Sequence, residues 1–328
     1  MVALRRLFAT FVLAALVAAA WFGYVVFVDR SHPANVTHVV VPRGSTFHDI
    51  ADLLASNGVI GNAFAFRLYA KLNHRDTQVR AGEYEFAPHV RQIDVLDRLL
   101  TGGAQIATWV TFPEGFTVRQ IATRLHDEGF GPAAEFAGAF LHDTIAIDGE
   151  RTKSLEGYLF PSTYLLPIGA TPRQVEQIMT SQFFKELPAD ARRKASAHHL
   201  TIPQVVTLAS LVQQEGKADS ERALIAGVIY NRLRLGMPLQ VDASLEYTFP
   251  AHRTVILNRD LQTDSPYNTY KHAGLPPTPI ANPGGPSLAA AFDPKASDYL
   301  YYVYKGNGHH AFAKTLAEHQ ANVARYLK

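Results

Sequence analysis

The chain contains no cysteine in 328 residues. That excludes disulfides, thiolate metal sites and a cysteine nucleophile, and it suits either an oxidising or a reducing compartment. Net charge is nearly absent as well: 31 Lys and Arg against 29 Asp and Glu leave a formal +2, with no basic stripe. A nucleic-acid partner is therefore not expected. The fourteen histidines include the pairs His198-His199 and His309-His310. No His-Glu-x-x-His pattern groups them, so they read as solvated loop residues, and no metal or cofactor is expected. Lys305-Gly-Asn-Gly308 lacks the Gly-Lys-Ser/Thr ending of a phosphate loop, and reads as a turn between a tyrosine-rich strand and the final helix. What remains is a globular composition, 47% hydrophobic, 18% charged and 11% aromatic, long enough for two folded units.

The N-terminus departs from that pattern. Residues 7–28 form a 22-residue run without a charge, long enough to cross a bilayer core of about 30 Å as a helix. Arg5 and Arg6 precede the run, while Asp29 offsets Arg30 beyond it. The positive-inside rule then puts residues 1–6 in the cytoplasm and the rest outside. Ala18 and Ala20 offer a signal-peptidase alternative, but the apolar run continues through Trp21, Phe22, Tyr24 and Val25–Val28, where a cleavable peptide would turn polar. An uncleaved anchor is expected, with residues 29–37 as a tether of about 10 residues that reaches roughly 35 Å.

Beyond the tether lies an internal repeat. Val41, Pro42, Gly44, Thr46, Ile50, Ala51, Leu54 and Gly58 recur 71 positions later as Phe112, Pro113, Gly115, Thr117, Ile121, Ala122, Leu125 and Gly129. Each copy reads as a strand, a Pro-x-Gly turn, a Thr cap, an amphipathic helix with Ile and Leu four apart, and a terminal Gly. Strands are expected at 38–41, 82–86 and 105–112, and helices at 62–72 and 91–100. The first copy resembles a LysM domain, a peptidoglycan-binding βααβ unit, so residues 38–153 are expected to form a LysM-like α+β module.

From residue 154 the texture shifts to longer helices and tyrosine-rich loops. Helices are expected at 171–187, at 204–215, and from a cap at Asp219 or Ser220 to Gly236. Residues 239–291, rich in Pro, Asn and Tyr, look too irregular for core and read as a binding wall. On the 204–215 helix, Val205, Leu208, Leu211 and Val212 share an apolar face that also carries Glu215, four residues beyond Leu211. A carboxyl there is partly desolvated, which raises its pKa toward the range a general acid needs.

Several motifs carry a family resemblance. Leu155-Glu156-Gly-Tyr-Leu-Phe-Pro161, Leu208-Ala-Ser-Leu-Val-Gln-Gln-Glu215, Glu221-Arg, Val228-Ile-Tyr-Asn231-Arg-Leu-x-x-Gly236-Met-x-Leu-Gln240-x-Asp242, Tyr267-Asn-Thr-Tyr270, Gly274-Leu-Pro-Pro277, Ile280-Ala-x-Pro-Gly284, His310-x-Phe312 and Glu318-His319 stand in this order. Together they resemble the endolytic murein transglycosylase family, the YceG-like or MltG proteins, over nearly the whole chain. In that family two acidic residues separated by one position usually end the helix, and the second is catalytic. Here Gln213 stands at the first position and Glu215 at the second.

The resemblance implies an α+β protein made of an N-terminal transmembrane helix, the LysM-like module and a mixed helical, loop-rich catalytic domain over residues 154–328. It implies a lyase that cuts peptidoglycan glycan strands at MurNAc-GlcNAc bonds, leaves 1,6-anhydro-MurNAc ends and so limits strand elongation. Glu215 would be the acid and then the base; Glu156, Gln240, Asp242, Tyr267, Asn268 and Tyr270 would bind substrate. Asn231 and Arg232 would be scaffold that orients the glutamate. Family members often carry Asp where this chain has Ser162, so no chemistry is assigned there. Nascent strands and their synthases, the penicillin-binding proteins, would be the partners, at a single-pass site in the inner membrane with the catalytic domain periplasmic. Two alternatives stay open: a non-catalytic peptidoglycan-binding scaffold, and a glycoside hydrolase using Glu156, Asp242 or Glu221 as its second carboxylate.

Overall fold

The computed structural model describes residues 2–42, 44–79, 81–101, 107–249 and 256–327. Packing divides the chain into two units: residues up to Thr108 with Leu165–Gly169, and Trp109–Tyr164 with Ala170–Lys328. The boundary expected at 153/154 thus falls inside the second unit. The reason is the second repeat copy, whose Phe112 and Phe116 segments hydrogen-bond to residues 162 and 282 of that unit.

The first unit begins with helix α1 (Val2–Phe27). Its stretch Arg5–Phe27 is long and apolar enough to cross a membrane. Strand β1 (Thr37–Val41), helices α2 (Phe47–Ser56) and α3 (Ala63–Leu72), strand β2 (Gly82–Phe86) and helix α4 (Gln92–Thr101) follow. The strands pair antiparallel, Thr37 opposite Phe86 and Val41 opposite Gly82. Val39 and Val41 lie on the same sheet face as Tyr84 and Phe86, and these bury against Ile50, Leu54, Phe66, Val95, Leu96 and Leu99. The residues expected to be a free tether are instead laid on the unit. His89 donates its backbone N–H to the Pro33 carbonyl at 2.9 Å, and its Nδ1 lies 3.0 Å from the Arg30 carbonyl.

Next in the chain is β3 (Ala107–Thr111), which pairs with β6 (Thr163–Pro167). Residues 105 and 106 of the strand expected there lie outside the described residues. Between them come α5 (Val118–Asp127), α6 (Ala133–His142) and the short hairpin of β4 (Ala146–Ile147) and β5 (Glu150–Arg151). The repeat is real in three dimensions. Thr46 caps α2 and Thr117 caps α5 through the same reciprocal box, with Asp49 and Gln120 as the third helical residues. Gly58 and Gly129 then take positive φ, 67° and 80°, where a side chain would be strained.

The remainder is helical around one buried axis. Helices α7 (Pro172–Glu186), α8 (Ala191–Ala197), α9 (Ile202–Glu215), α10 (Asp219–Arg234), α11 (Asp242–Glu246) and α12 (Gly285–Phe292) precede the β7 (Tyr301–Gly306) and β8 (His309–Ala313) hairpin and α13 (Leu316–Tyr326). Helix α9 packs against α8, α10, α11 and α12. Residues 205–212 are therefore buried on every side, Thr207 and Ser210 included, rather than along one face. Three further expectations change. Ala218, not Asp219 or Ser220, occupies the α10 cap, and Asp219 pairs instead with Arg222 at 2.8 Å. Residues 305–308 turn between β7 and β8, before the final helix begins. The 239–291 segment contributes to the core as well as to the surface: Leu239, Val241, Leu245, Asn268, Thr269, Ile280 and Ala281 are buried, with hydrogen bonds satisfying their polar groups, while Gln240 and Asp242 are exposed.

Candidate active site

Helix α9 delivers Glu215 as its last residue, and the Gly216 N–H closes the helix on the Val212 carbonyl at 2.8 Å. The two residues before it fix its aim. Gln213 Oε1 accepts from the Gly284 N–H at 3.0 Å and the Ser287 hydroxyl at 2.7 Å, and Gln214 Nε2 donates to the Gly115 carbonyl at 2.9 Å. The Gln213 oxygen sits at the N-terminal end of α12, where the helix dipole favours an acceptor of either charge state. A carboxylate at this position would make the same two bonds. That is why an amide can stand here without loss of architecture.

Glu215 opens into a cavity of about 500 Å³ lined also by Lys217, Arg232, Gln240, Asp242, Tyr270, Tyr302, Tyr304, His310 and His319. Burial pushes the Glu215 carboxyl above the usual carboxylate range, and the nearby Asp242 charge pushes the same way. The Tyr302 hydroxyl, donating to the carboxyl, and the Lys217 charge pull it back. Asp242, first residue of α11, accepts from the Tyr270 hydroxyl at 2.5 Å. The cavity thus holds one protonatable carboxyl beside a second, hydrogen-bonded one.

Arg232 organises one wall. Its guanidinium donates to the carbonyls of Leu300 (2.6 Å), Pro238 (3.1 Å) and Leu239 (2.8 Å) and to Gln240 Oε1 (3.3 Å). Asn231, one residue earlier, ties the carbonyls of Ser297 and Tyr299. The pair pins the 238–240 loop and the start of β7 to α10, so both are scaffold beside the glutamate. Glu221 is held otherwise: burial raises its carboxyl, but His310 and His309 outweigh that and keep it below the ordinary range. His310 is buried, its Nδ1 3.0 Å from Glu221, so this histidine of β8 is not the solvated loop residue expected.

Of the residues expected in the cleft, Gln240, Asp242 and Tyr270 meet Glu215 there and three do not. Glu156 is sealed elsewhere in the unit, 1% exposed, accepting from the Val118 N–H at 3.0 and 3.1 Å, Asn282 Nδ2 at 3.1 Å and the Tyr247 hydroxyl at 3.0 Å. Burial drives its carboxyl up to about 8 against those donors. Asn268 is fully buried and spends its side chain on the Leu261 and Thr263 carbonyls and the Tyr270 N–H. Tyr267 turns its hydroxyl to Thr278 at 2.7 Å and its ring to Tyr247. Of these three, Asn268 holds the Tyr270 backbone that lines the cavity. Sequence reasoning missed Tyr302, although the alternation of a strand puts 300, 302 and 304 on one face. Among the described residues no group of three or more His, Asp or Glu gathers as a metal site would need.

Comparison with known proteins supplies the family. The family model described as YceG-like matches residues 39–325. The endolytic murein transglycosylase of Bacillus subtilis strain 168 is 34% identical over 89% of this chain and 85% of its own length. That of Streptococcus pneumoniae D39 is 30% identical over 96% of this chain, which spans 64% of the longer pneumococcal protein. A crystal structure of a yceG-like protein from Listeria monocytogenes superposes with a TM-score of 0.57 at 31% identity, covering 88% of this chain and 99% of that one. A match over most of the length, at these identities and with this fold, means that the chain belongs to the YceG-like family.

Proposed function

We propose that this protein is an endolytic murein transglycosylase, a lyase that cuts peptidoglycan glycan strands internally. The observation that carries the reading is Glu215: a carboxyl raised by burial, presented by a rigid helix end into a cavity walled by tyrosines, a glutamine and a second acid. In the proposed reaction its proton goes to the glycosidic oxygen as the bond to C1 of N-acetylmuramic acid breaks. The sugar's own C6 hydroxyl then bonds to C1, and the Glu215 carboxylate takes the hydroxyl proton. No water is consumed and a 1,6-anhydro end results. One carboxyl suffices, used first as acid and then as base. Gln240, Asp242 and Tyr270 are positioned to hydrogen-bond sugar hydroxyl and acetamido groups, and Tyr302 to hold the Glu215 carboxyl in place.

Asp242 favours one second reading, a hydrolase in which two carboxylates share the work. Mass determination of fragments from purified strands separates the two. Anhydro ends support the lyase, and ordinary reducing ends, heavier by one water, overturn it. The strand-helix-helix-strand order of the first unit supports a LysM-like, glycan-binding role; deleting it should weaken sacculus binding while short soluble strands are still cut. The apolar α1 supports a single-pass anchor in the inner membrane, with the N-terminus cytoplasmic and the catalytic unit beside the penicillin-binding proteins that make nascent strands. A phosphatase fused after the C-terminus should be active, and an inactive fusion would reverse the orientation.

A further inference from the structure

We propose that the outward face of α3 beds into the headgroup region of the bilayer that α1 crosses, so the first unit is fastened to the membrane at two places. The proposal rests on the membrane-anchor reading above. Helix α3 is apolar on two sides. Ala65, Phe66 and Ala70 enter the core, while Phe64 (63% exposed), Leu68 (37%) and Leu72 (65%) stand free. Spaced four apart, these three form one line along the helix. A helix of a water-facing domain would carry polar residues on that line.

Position decides what covers it. Helix α3 is where the outer end of α1 lands: Val25 and Val26 bury with Ala65, flanked by Phe22, Tyr69 and Ile93, and the Phe27 ring meets that of Tyr69 at 5.3 Å. The 23-residue stretch Arg5–Phe27 spans about 34 Å as a helix against a hydrocarbon core of about 30 Å. Phe22 therefore lies only about 8 Å inside the end of the span. A helix packed on that last stretch sits at the boundary of hydrocarbon and headgroups. Its free side there meets lipid. Trp21 and Tyr24, exposed on α1 at the same level, are the residue types that settle at this boundary. Lys71, exposed beside Leu72, can bury its stem among the acyl chains and carry its ammonium to lipid phosphates.

The absence of cysteine makes the test direct. Single variants Phe64→Cys, Leu68→Cys, Leu72→Cys and, within the span, Leu16→Cys are labelled with an environment-sensitive fluorophore in the full chain, reconstituted in nanodiscs. Nanodiscs with doxyl lipids, spin-labelled near the headgroup or deep in the chain, then report depth. The expected result is blue-shifted emission at 64, 68 and 72 that is lost most with the shallow doxyl lipid, and loss at 16 most with the deep one. Quenching at 16 with water-like emission at 64, 68 and 72 overturns the α3 surface and leaves the anchor standing. Blue-shifted but unquenched emission at the three positions means that protein covers the face, and also overturns it. No quenching at any of the four overturns the anchor and the surface together.

Discussion

Two regions of the second unit each desolvate a glutamate, and only one of the two carboxyls lines a cavity. Around Glu215 the carboxyl faces an open cavity, with the Tyr302 hydroxyl on one side and the Asp242 charge on the other. Around Glu156 the space is closed: the residue is buried, and the Val118 N–H, the Asn282 amide and the Tyr247 hydroxyl fill its acceptor sites. Burial raises both carboxyls. A raised pKa therefore does not by itself tell the two carboxyls apart. What distinguishes Glu215 is that its remaining valences point at space where a substrate can enter, whereas those of Glu156 join the α5 N-terminus to residues 247 and 282.

The sharpest test exchanges each carboxyl for its amide. Glu215→Gln keeps the shape of the helix end but can neither give nor take the proton, so turnover should fall by at least about 10² to 10⁴, with circular dichroism unchanged. Retained activity in the folded variant would mean the wrong carboxyl has been chosen. Glu156→Gln should do the opposite. Its amide NH₂ would confront donors, costing about 1–3 kcal/mol of stability in urea unfolding, while surviving protein still makes anhydro ends. Loss of turnover at full stability would bring Glu156 into the reaction.

A pH series sharpens the contrast further. A carboxyl raised to about 8 in the folded state binds more protons there than in the unfolded chain, so its contribution weakens stability as pH climbs between about 4.5 and 8. Glu156→Gln should flatten that decline, and an unchanged slope would assign it to other groups. At the other site, Tyr302→Phe removes the donor that holds the Glu215 carboxyl down. The alkaline limb of activity should move to higher pH, and the loss of about one hydrogen bond should cost roughly fivefold in turnover. Smallest of all is Asp242→Asn. Removing the neighbouring negative charge should move that limb to lower pH with the anhydro product retained, and a shift upward would contradict the charge's role.

Much of this was legible in advance, for identifiable reasons. Thr46 and Thr117 announce helix starts because capping is local, decided by residues within one turn. Glu215 was legible because its helix is a regular repeat, so spacing from Leu208 and Leu211 fixes where the side chain goes. That Glu156, Tyr267 and Asn268 lie outside the Glu215 cavity is not legible, because a polar side chain in a loop looks the same whether it awaits a sugar or a carbonyl. Only the position of Asn282, 126 residues from Glu156, separates the two cases. The buried positions within residues 239–291 escape a reading by period for a related reason: scattered hydrogen bonds, such as that from the Val241 N–H to Thr269, satisfy them.

The sequence alone thus determined the apolar N-terminal span, the doubled strand-turn-helix unit and the helix ending at Glu215, since each depends on periodicity or on neighbours along the chain. Tertiary structure decided that the second copy belongs with the unit that carries Glu215. It also decided that Tyr302 rather than Glu156 attends the acid, and that the presumed tether is bound to His89. Those outcomes depend on which distant groups come within hydrogen-bonding reach and which of them water can still reach, and neither quantity is a property of local spacing.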